Sequence, residues 1–326
     1  MNRSSFVAFY YSCSYVPLSR KPHFNIRYNS AKNSIRRSNV GLKYTILGGD
    51  KRSLELGNLL MKDGNDVCIY GFDSLEQYKY GSVSLDEAIG YADVIIGPLP
   101  FSADKMNVNA PFSNEAIEID KVFSLMSEKQ MIIGGKFSLE HEEKLKSKNL
   151  KSADYFKREE MQVLNAIPTA EGAIQIAMEE TPITLHGSNV IVLGYGRIGK
   201  ALSKMLYGIG AKVHVEARNY SDLAWIKNSG YVPVCLKELK TYLPRMNVVF
   251  NTVPQMILNK ELLKGIDNNC IIIDLASEPG GVDLDAAKEL EIKAIRALGL
   301  PGKAAPVTAA MFIKETIYNI MEELDV

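Results

Sequence analysis

The chain has 326 residues, 46% of them hydrophobic, with 38 Lys and Arg against 38 Asp and Glu for a formal net charge of zero. That length points to about two domains, that apolar fraction to an ordinary globular protein, and that balance gives no overall pull toward nucleic acid or a membrane surface. No apolar run reaches the about 18–20 residues a spanning helix needs, and Cys13, Cys68, Cys235 and Cys270 form no CxxC pair, so no metal site or disulfide framework is expected and a reducing cytoplasm fits.

Residues 1–40 carry Arg3, Arg20, Lys21, Arg27, Lys32, Arg36 and Arg37 and no Asp or Glu. A basic, Ser-rich leader is compatible with an organellar targeting peptide. It shows no strand or helix period, and a dispensable disordered or upstream-translated extension is the favoured reading. Structure is expected from "LKYTILGGD" onward. Leu42 to Leu47 read as a buried strand, Gly48-Gly49 as a tight turn and Arg52 to Lys62 as an amphipathic helix. "NDVCIYGFD", "ADVIIGPLP" and "QMIIGGK" read as further strands. Strands alternating with helical stretches imply parallel βαβ units and a first α/β domain over 41–165. Pro168 with Thr169 predicts a helix start, and the helix running on through Ala173 to Met178 could bridge two domains.

A second βαβ series follows over 166–305. Val190 to Leu193 reads as a strand, Ile198 to Tyr207 as a helix and Lys212 to Glu216 as a strand, with "NVVFNTVP" and "CIIIDLASEPGG" supplying more. Thr308 to Leu324 reads as an amphipathic helix, and residues 306–326 are expected to pack back on the first domain. The fold class is therefore α/β, two Rossmann-like domains with parallel sheets.

Gly194, Gly196 and Gly199 form G-x-G-x-x-G directly after an apolar strand and at the opening of a helix, the context that makes the match credible. Gly194 permits the tight turn, Gly196 lets backbone approach a pyrophosphate, and Gly199 lets helix and strand pack closely. The helix N-terminus offers free N–H groups to phosphates, so the loop residues Tyr195, Arg197 and Ile198 join the candidate cofactor site. In NAD enzymes of this design an acid closing the next strand takes the ribose 2′-hydroxyl. Ala217 aligns with that position and Arg218 follows it. Glu216 is one residue early, and strand alternation directs it to the other side. A small residue followed by Arg suits a 2′-phosphate, with Asn219 and Ser221 as further donors. NADP is favoured, and NAD remains open because a one-residue slip would restore the acid. Asn251, Thr252 and Ser277 close later strands of the same sheet, either as neighbours of ribose and nicotinamide or as plain strand-end caps.

These segments resemble the A subunit family of dipicolinate synthase from about residue 41 to the end. The likeness rests on "GGDKR" (48–52), "NAIPTAEG" (165–172), "LHGS" (185–188), "VLGYGRIG" (192–199), "ARN", "NTVP", "IDLASEPGG" and "LGLPGKAAPVTA" (298–309). The last two are the more diagnostic. The resemblance implies oxidation of dihydrodipicolinate, or its hydroxytetrahydro precursor, to pyridine-2,6-dicarboxylate in the cytoplasm of a sporulating Firmicute-type mother cell, off the lysine branch. It also implies a second protein, the B subunit of dipicolinate synthase, similar to flavin-binding decarboxylase-type proteins, and hence a homo- or hetero-oligomer.

A substrate with two carboxylates needs cations. Arg52, Lys136, Arg158 and Lys303 stand at expected strand or loop ends, and an Arg could grip a carboxylate with two parallel hydrogen bonds. Each is alternatively a solvated charge. Aromatisation is a strong thermodynamic pull, so the protein chiefly orients a C–H toward nicotinamide and accepts a proton. Glu171 and His186 are candidates for that proton, against the alternatives of a first-turn helix acid and a loop histidine. Two rivals remain. A 2-hydroxy-acid or alanine-type dehydrogenase shares the layout, but hydroxy-acid dehydrogenases of this layout use a late histidine and none follows His214 here. An NADP-binding non-catalytic subunit is the other, since a glycine loop implies binding and not turnover.

Overall fold

Short apolar runs alternate with helical stretches, and in the computed structural model, which describes residues 41–75 and 83–325, they assemble into two parallel sheets. The basic leader over 1–40, with the expectations placed on it, lies outside the described residues. The first sheet takes β1 (Lys43–Leu47), α1 (Lys51–Lys62), β2 (Asp66–Tyr70), α2 (Leu85–Tyr91), β3 (Val94–Ile96), α3 (Ile119–Leu125), β4 (Met131–Gly134), α4 (Leu139–Ser147) and β5 (Lys151–Asp154). Its five strands run in the order β2-β1-β3-β4-β5. The central β1, β3 and β4 are almost wholly buried, which is why they read as unbroken apolar runs.

The long helix α5 (Glu159–Glu180) links this sheet to the next. The sequence predicts a helix start at Pro168, but the helix begins at Glu159 and Pro168 lies inside it. Proline removes one intrahelical donor, a defect of about 3 kcal/mol in an exposed helix. Here burial on two cores outweighs it. Met161 packs into the first domain, and Ala170, Ala173, Ile174 and Ala177 pack into the second. One turn carries a side-chain bond as well, the Thr169 hydroxyl donating to the Asn165 carbonyl at 2.8 Å.

The second sheet is built from β6 (Asn189–Leu193), α6 (Arg197–Ile209), β7 (Lys212–Ala217), α7 (Tyr220–Asn228), β8 (Val232–Cys235), α8 (Leu239–Tyr242), β9 (Val248–Asn251), α9 (Lys260–Leu263), β10 (Ile271–Asp274), α10 (Leu284–Glu289) and β11 (Lys293–Arg296). Its six strands lie in the order β11-β10-β9-β6-β7-β8. Counted from its own first strand this is the dinucleotide-binding order, with the crevice outside the carboxyl ends of β6 and β9. A short helix α11 (Leu300–Ala304) then leads into α12 (Pro306–Glu323). As expected from its amphipathic pattern, α12 returns to the first domain. Ile313, Ile317 and Ile320, spaced for one helix face, pack with Leu54, Leu56 and Leu60 of α1 in a single core.

Candidate functional site

The three loop glycines meet three different constraints. Gly194 has φ 91°, and a Cβ there would sit 2.6 Å from Val253 Cγ2. A Cβ at Gly199 would lie 2.1 Å from the Gly194 carbonyl oxygen, so the helix can approach the strand only without one. A Cβ at Gly196 would meet nothing within 4 Å. Gly196 caps α6 with no side-chain bond to its first turn, which leaves those N–H groups facing open space. A cavity of about 560 Å³ opens beside it, lined by Gly194 to Gly196, Glu216 to Asn219, Asp222, Leu236, Thr252 to Ile257 and Leu262. That is the size of a small-molecule site. An open phosphate cradle, an apolar pocket and polar groups at its wall fit a dinucleotide.

The end of β7 supplies the wall. Glu216 pairs with Leu193 across the sheet, and Val213, Val215 and Ala217 face the core shared with α6. Glu216 therefore projects from the opposite face, yet it still lines the cavity and is 1% exposed. Burial pushes its carboxyl up, with the Gly194 amide and the Arg218 charge opposing in part. Arg218 is exposed at the rim and makes no ion pair with the described residues.

Other expected cofactor contacts stand differently. Asn219 caps α7, its carbonyl accepting from the Asp222 amide at 2.7 Å and its amide donating to the Asp222 carboxylate at 2.6 Å. Ser221 is exposed on α7 and does not line the cavity. Asn251 is a correction. It is 0% exposed and its amide donates to Asp274 at 2.7 Å and to the Val253 carbonyl at 3.0 Å, so it braces the sheet end and is committed within the protein. Thr252 lines the cavity and donates to the Leu193 carbonyl at 2.8 Å. Ser277 is exposed after β10, outside the lining. Arg197 pairs with Glu159 of α5 at 2.8 Å at the surface, and Ile198 packs into the α6 core. The walls at Asp222, Leu236, Val253 to Ile257 and Leu262 escaped the sequence reading. "NTVPQMI" runs on from the carboxyl end of β9, and that position was the available signal.

A second polar cluster lies where the domains meet. In the first sheet, β1 and β3 are neighbours whose connections diverge, which makes their carboxyl ends the crevice of that fold. Asp50 caps α1 and holds Arg52 through two nitrogens, at 2.9 and 2.8 Å. Arg52 Nη2 also donates to the Leu99 carbonyl after β3 at 2.7 Å, and Nη1 makes no hydrogen bond to the described residues. From the second domain, a Cβ on Gly302 would lie 2.5 Å from Asp50 Oδ2 and 3.0 Å from Arg52 Nε. A Cβ on Gly172 would lie 3.1 Å from Leu300 Cβ. "GGDKR", "IPTAEG" and "LPGKAA" therefore share one seam. Glu171 and Lys303 are exposed beside these contacts. Lys136 is exposed after β4 with φ 63°, its amide donating to Asp154 at 3.0 Å.

Two expectations fail on position. Arg158 is fully engaged, donating to both Glu323 oxygens at 2.6 Å and to Glu160 at 2.8 Å, and these bonds raise its pKa. It ties the start of α5 to the end of α12. His186 precedes β6, at the edge of the sheet opposite the glycine loop, with its ring over Gly210. Glu171, for its part, stands in the middle of α5 and not in a first turn. Among the described residues no three His, Cys, Asp or Glu side chains gather as a metal site, and no helix is long and apolar enough to cross a membrane.

Comparisons with known proteins follow the same division. Residues 43–156 match the N-terminal domain of the dipicolinate synthase A subunit, and residues 163–300 match the D-isomer specific 2-hydroxyacid dehydrogenase NAD binding domain. The dipicolinate synthase A subunit of Bacillus subtilis (strain 168) is 35% identical over 289 residues, covering 87% of this chain and 97% of the relative. The chain belongs to the A subunit family of dipicolinate synthase. It is an NAD(P)-dependent oxidoreductase. The crystal structure of the family member from Bacillus halodurans superimposes with a TM-score of 0.78 at 31% identity, covering 86% of this chain and 98% of that one. An L-alanine dehydrogenase shares the fold alone, with a TM-score of 0.60 at 16% identity over 87% of this chain and 90% of that one.

Proposed function

We propose that this chain is the dehydrogenase component of a dipicolinate-forming enzyme. It oxidises dihydrodipicolinate, or its hydroxytetrahydro precursor after loss of water, to pyridine-2,6-dicarboxylate. The glycine loop and the cavity beside it would hold NADP⁺, which would supply the hydride acceptor, and one proton would leave the substrate. The observation that carries this reading is the seam, where Gly302 of the second domain sits against the Asp50–Arg52 pair after the first strand of the first domain. Asp50 fixes the Arg52 guanidinium and leaves Nη1 for a carboxylate. Lys136 and Lys303 are the mobile-headed cations for the second carboxylate, and Glu171 is the remaining candidate for the departing proton. Aromatisation drives the reaction, so these residues chiefly bind, orient and take up a proton. Arg218 at the rim favours a 2′-phosphate, hence NADP, by charge-assisted bonds.

The rival hydroxy-acid dehydrogenase reading needs an imidazole near the reacting carbon. His214, the last histidine, sits on β7 with Nδ1 3.2 Å from the Val190 carbonyl and its ring against Tyr242, away from the cavity lining. The reading also holds that a flavoprotein-like partner, the B subunit of dipicolinate synthase, accompanies the chain in the cytoplasm of a sporulating mother cell. The test supplies freshly generated precursor and NADP⁺ to the chain alone and to the chain with that partner, following NADPH absorbance and product mass together. Stoichiometric NADPH and pyridine-2,6-dicarboxylate are expected. Product without NADPH would send the hydride elsewhere and sink the mechanism. Product only with the partner, and no cofactor bound by this chain, would favour a non-catalytic role.

A further inference from the structure

The last strand of the second sheet ends on a cation whose donors are unspent. Arg296 closes β11, with its side chain 26% exposed. Its Nε and Nη2 are buried with no hydrogen-bond partner among the described residues, and Nη1 bonds to none of them either. Among the described residues it pairs only with Glu278, 3.2 Å from Nη2, and the Glu278 side chain is 83% exposed. The buried carboxylate on the neighbouring strand is already committed. Asp274 accepts from the Asn251 amide at 2.7 Å and from the backbone N–H of Ala276 and Gly281 at 3.2 and 3.3 Å, and it forms no ion pair with Arg296. Desolvating a guanidinium without hydrogen bonds is costly, and a pair to so exposed a carboxylate returns little. Donors kept in that state are a place for an anion.

The position of the guanidinium narrows the anion. It lies against the backbone of the loop after β10, since a Cβ on Gly280, which has φ 88°, would sit 3.3 Å from Arg296 Nη2 and 2.9 Å from Asp274 Oδ2. That loop leaves the carboxyl end of β10, beside Asn251 at the end of β9. The glycine loop belongs to the other half of the sheet, β6-β7-β8. In this fold pyrophosphate and adenosine ribose would go to that half, and the nicotinamide end to the half made by β9, β10 and β11. Arg296 thus belongs to the reacting end of the crevice. From Arg296 the chain reaches Gly302 in six residues, at most about 20 Å even if extended, and Gly302 abuts Arg52. Two guanidiniums therefore stand at the two ends of one short segment. An arginine presents planar paired donors that match a carboxylate, which the flexible heads of Lys136 and Lys303 do not.

We propose that Arg296 binds one carboxylate of the dicarboxylate substrate, adding a fixed planar grip to that of Arg52, and that Glu278 is the exposed counter-ion which this carboxylate displaces. The residue then sets specificity, because a ligand with two carboxylates engages both guanidiniums and a ligand with one engages only one. This rests on the dipicolinate reading above and deepens it by naming a substrate residue on the dinucleotide domain itself.

Calorimetric titration of pyridine-2,6-dicarboxylate and of pyridine-2-carboxylate into the full chain tests it, with NADP⁺ present and in metal-free buffer. Wild type, Arg296→Gln, Arg296→Lys and Glu278→Gln are compared, with melting temperatures measured alongside. In Arg296→Gln the dicarboxylate is expected to bind about tenfold more weakly, the loss of one charge-assisted hydrogen bond. The monocarboxylate, which can stay on Arg52, is expected to change little. Glu278→Gln is expected to hold or tighten dicarboxylate binding. Unchanged dicarboxylate affinity in a folded Arg296→Gln chain overturns this proposal alone, as do equal losses of both ligands. Equal losses in Arg296→Gln and Glu278→Gln also overturn it, because the pair would then only brace the loop. If the Gln chain does not fold, Arg296→Lys reads the same ratio, a loss confined to the dicarboxylate supporting the proposal and no loss overturning it. Wild type that binds NADP⁺ and neither pyridine ligand overturns the dipicolinate reading and this proposal with it.

Discussion

At the scale of single residues, the glycine loop separates stability from binding. Gly196→Ala adds a methyl group that meets no protein atom, at a backbone φ of −79° that alanine accepts. Its melting temperature is expected to stay within a degree or two of wild type while dinucleotide affinity collapses in titration. Gly199→Ala places its methyl group 2.1 Å from a carbonyl oxygen and is expected to lose both. Arg218→Ala is expected to remove about 1.5–3 kcal/mol of NADP over NAD preference, the range for a hydrogen bond to a charged group, and calorimetry with both cofactors reads it directly. Glu216 adds a pH signature. Burial raises its folded-state pKa, so the stability it contributes is complete below its unfolded value of about 4.3 and is lost as pH rises through the folded value. Relative to Glu216→Gln, the wild-type melting temperature should fall as pH climbs from about 4 toward neutrality. A constant difference between the two chains would show that Glu216 is not held protonated by burial.

At the scale of elements, α5 and α12 join the two domains, and they do so by packing more than by charge. Ile317 is 0% exposed in the core between α12 and α1. Ile317→Ala is expected to cost about 2–5 kcal/mol in denaturant unfolding. Arg158 and Glu323 are bidentate, but their side chains are 31% and 57% exposed. An exposed pair of this kind is screened by solvent and adds little, so Arg158→Ala should barely move the midpoint and should leave substrate KM unchanged. The strands that sequence patterning missed, β5, β8 and β11, all lie at sheet edges. "KSAD", "VPVC" and "KAIR" are short, and an edge strand is covered less completely than a central one, so no sustained apolar run marks it. The central strands, buried on both faces, were legible for the opposite reason.

At the scale of the whole molecule, the seam seats the second domain against the first through a glycine with no room for a side chain. Gly302→Ala would press on Asp50 Oδ2 at 2.5 Å and tilt the Asp50–Arg52 pair. Cofactor affinity is expected to survive, because the glycine loop lies elsewhere, while kcat/KM for the precursor falls about ten- to a hundredfold through misplacement of the guanidinium. Parallel loss of cofactor affinity would show that the seam supports the domain as a whole and has no separate role in orienting substrate.

The sequence by itself determined the two parallel α/β sheets, the glycine loop between strand and helix, the returning C-terminal helix and the family. Each of these depends on local spacing or on residues close in the chain, and such signals survive without coordinates. Only the tertiary structure decided which polar side chains are free. Arg158 and Asn251 looked available in sequence and are consumed by Glu323 and Asp274, partners 165 and 23 residues away. Glu216 points to the other side of its strand as alternation predicts, and the fold still buries it in the wall of the cavity beside the glycine loop. Hydrogen-bond commitment and burial are set by what distant segments bring together, and no spacing along one chain encodes them.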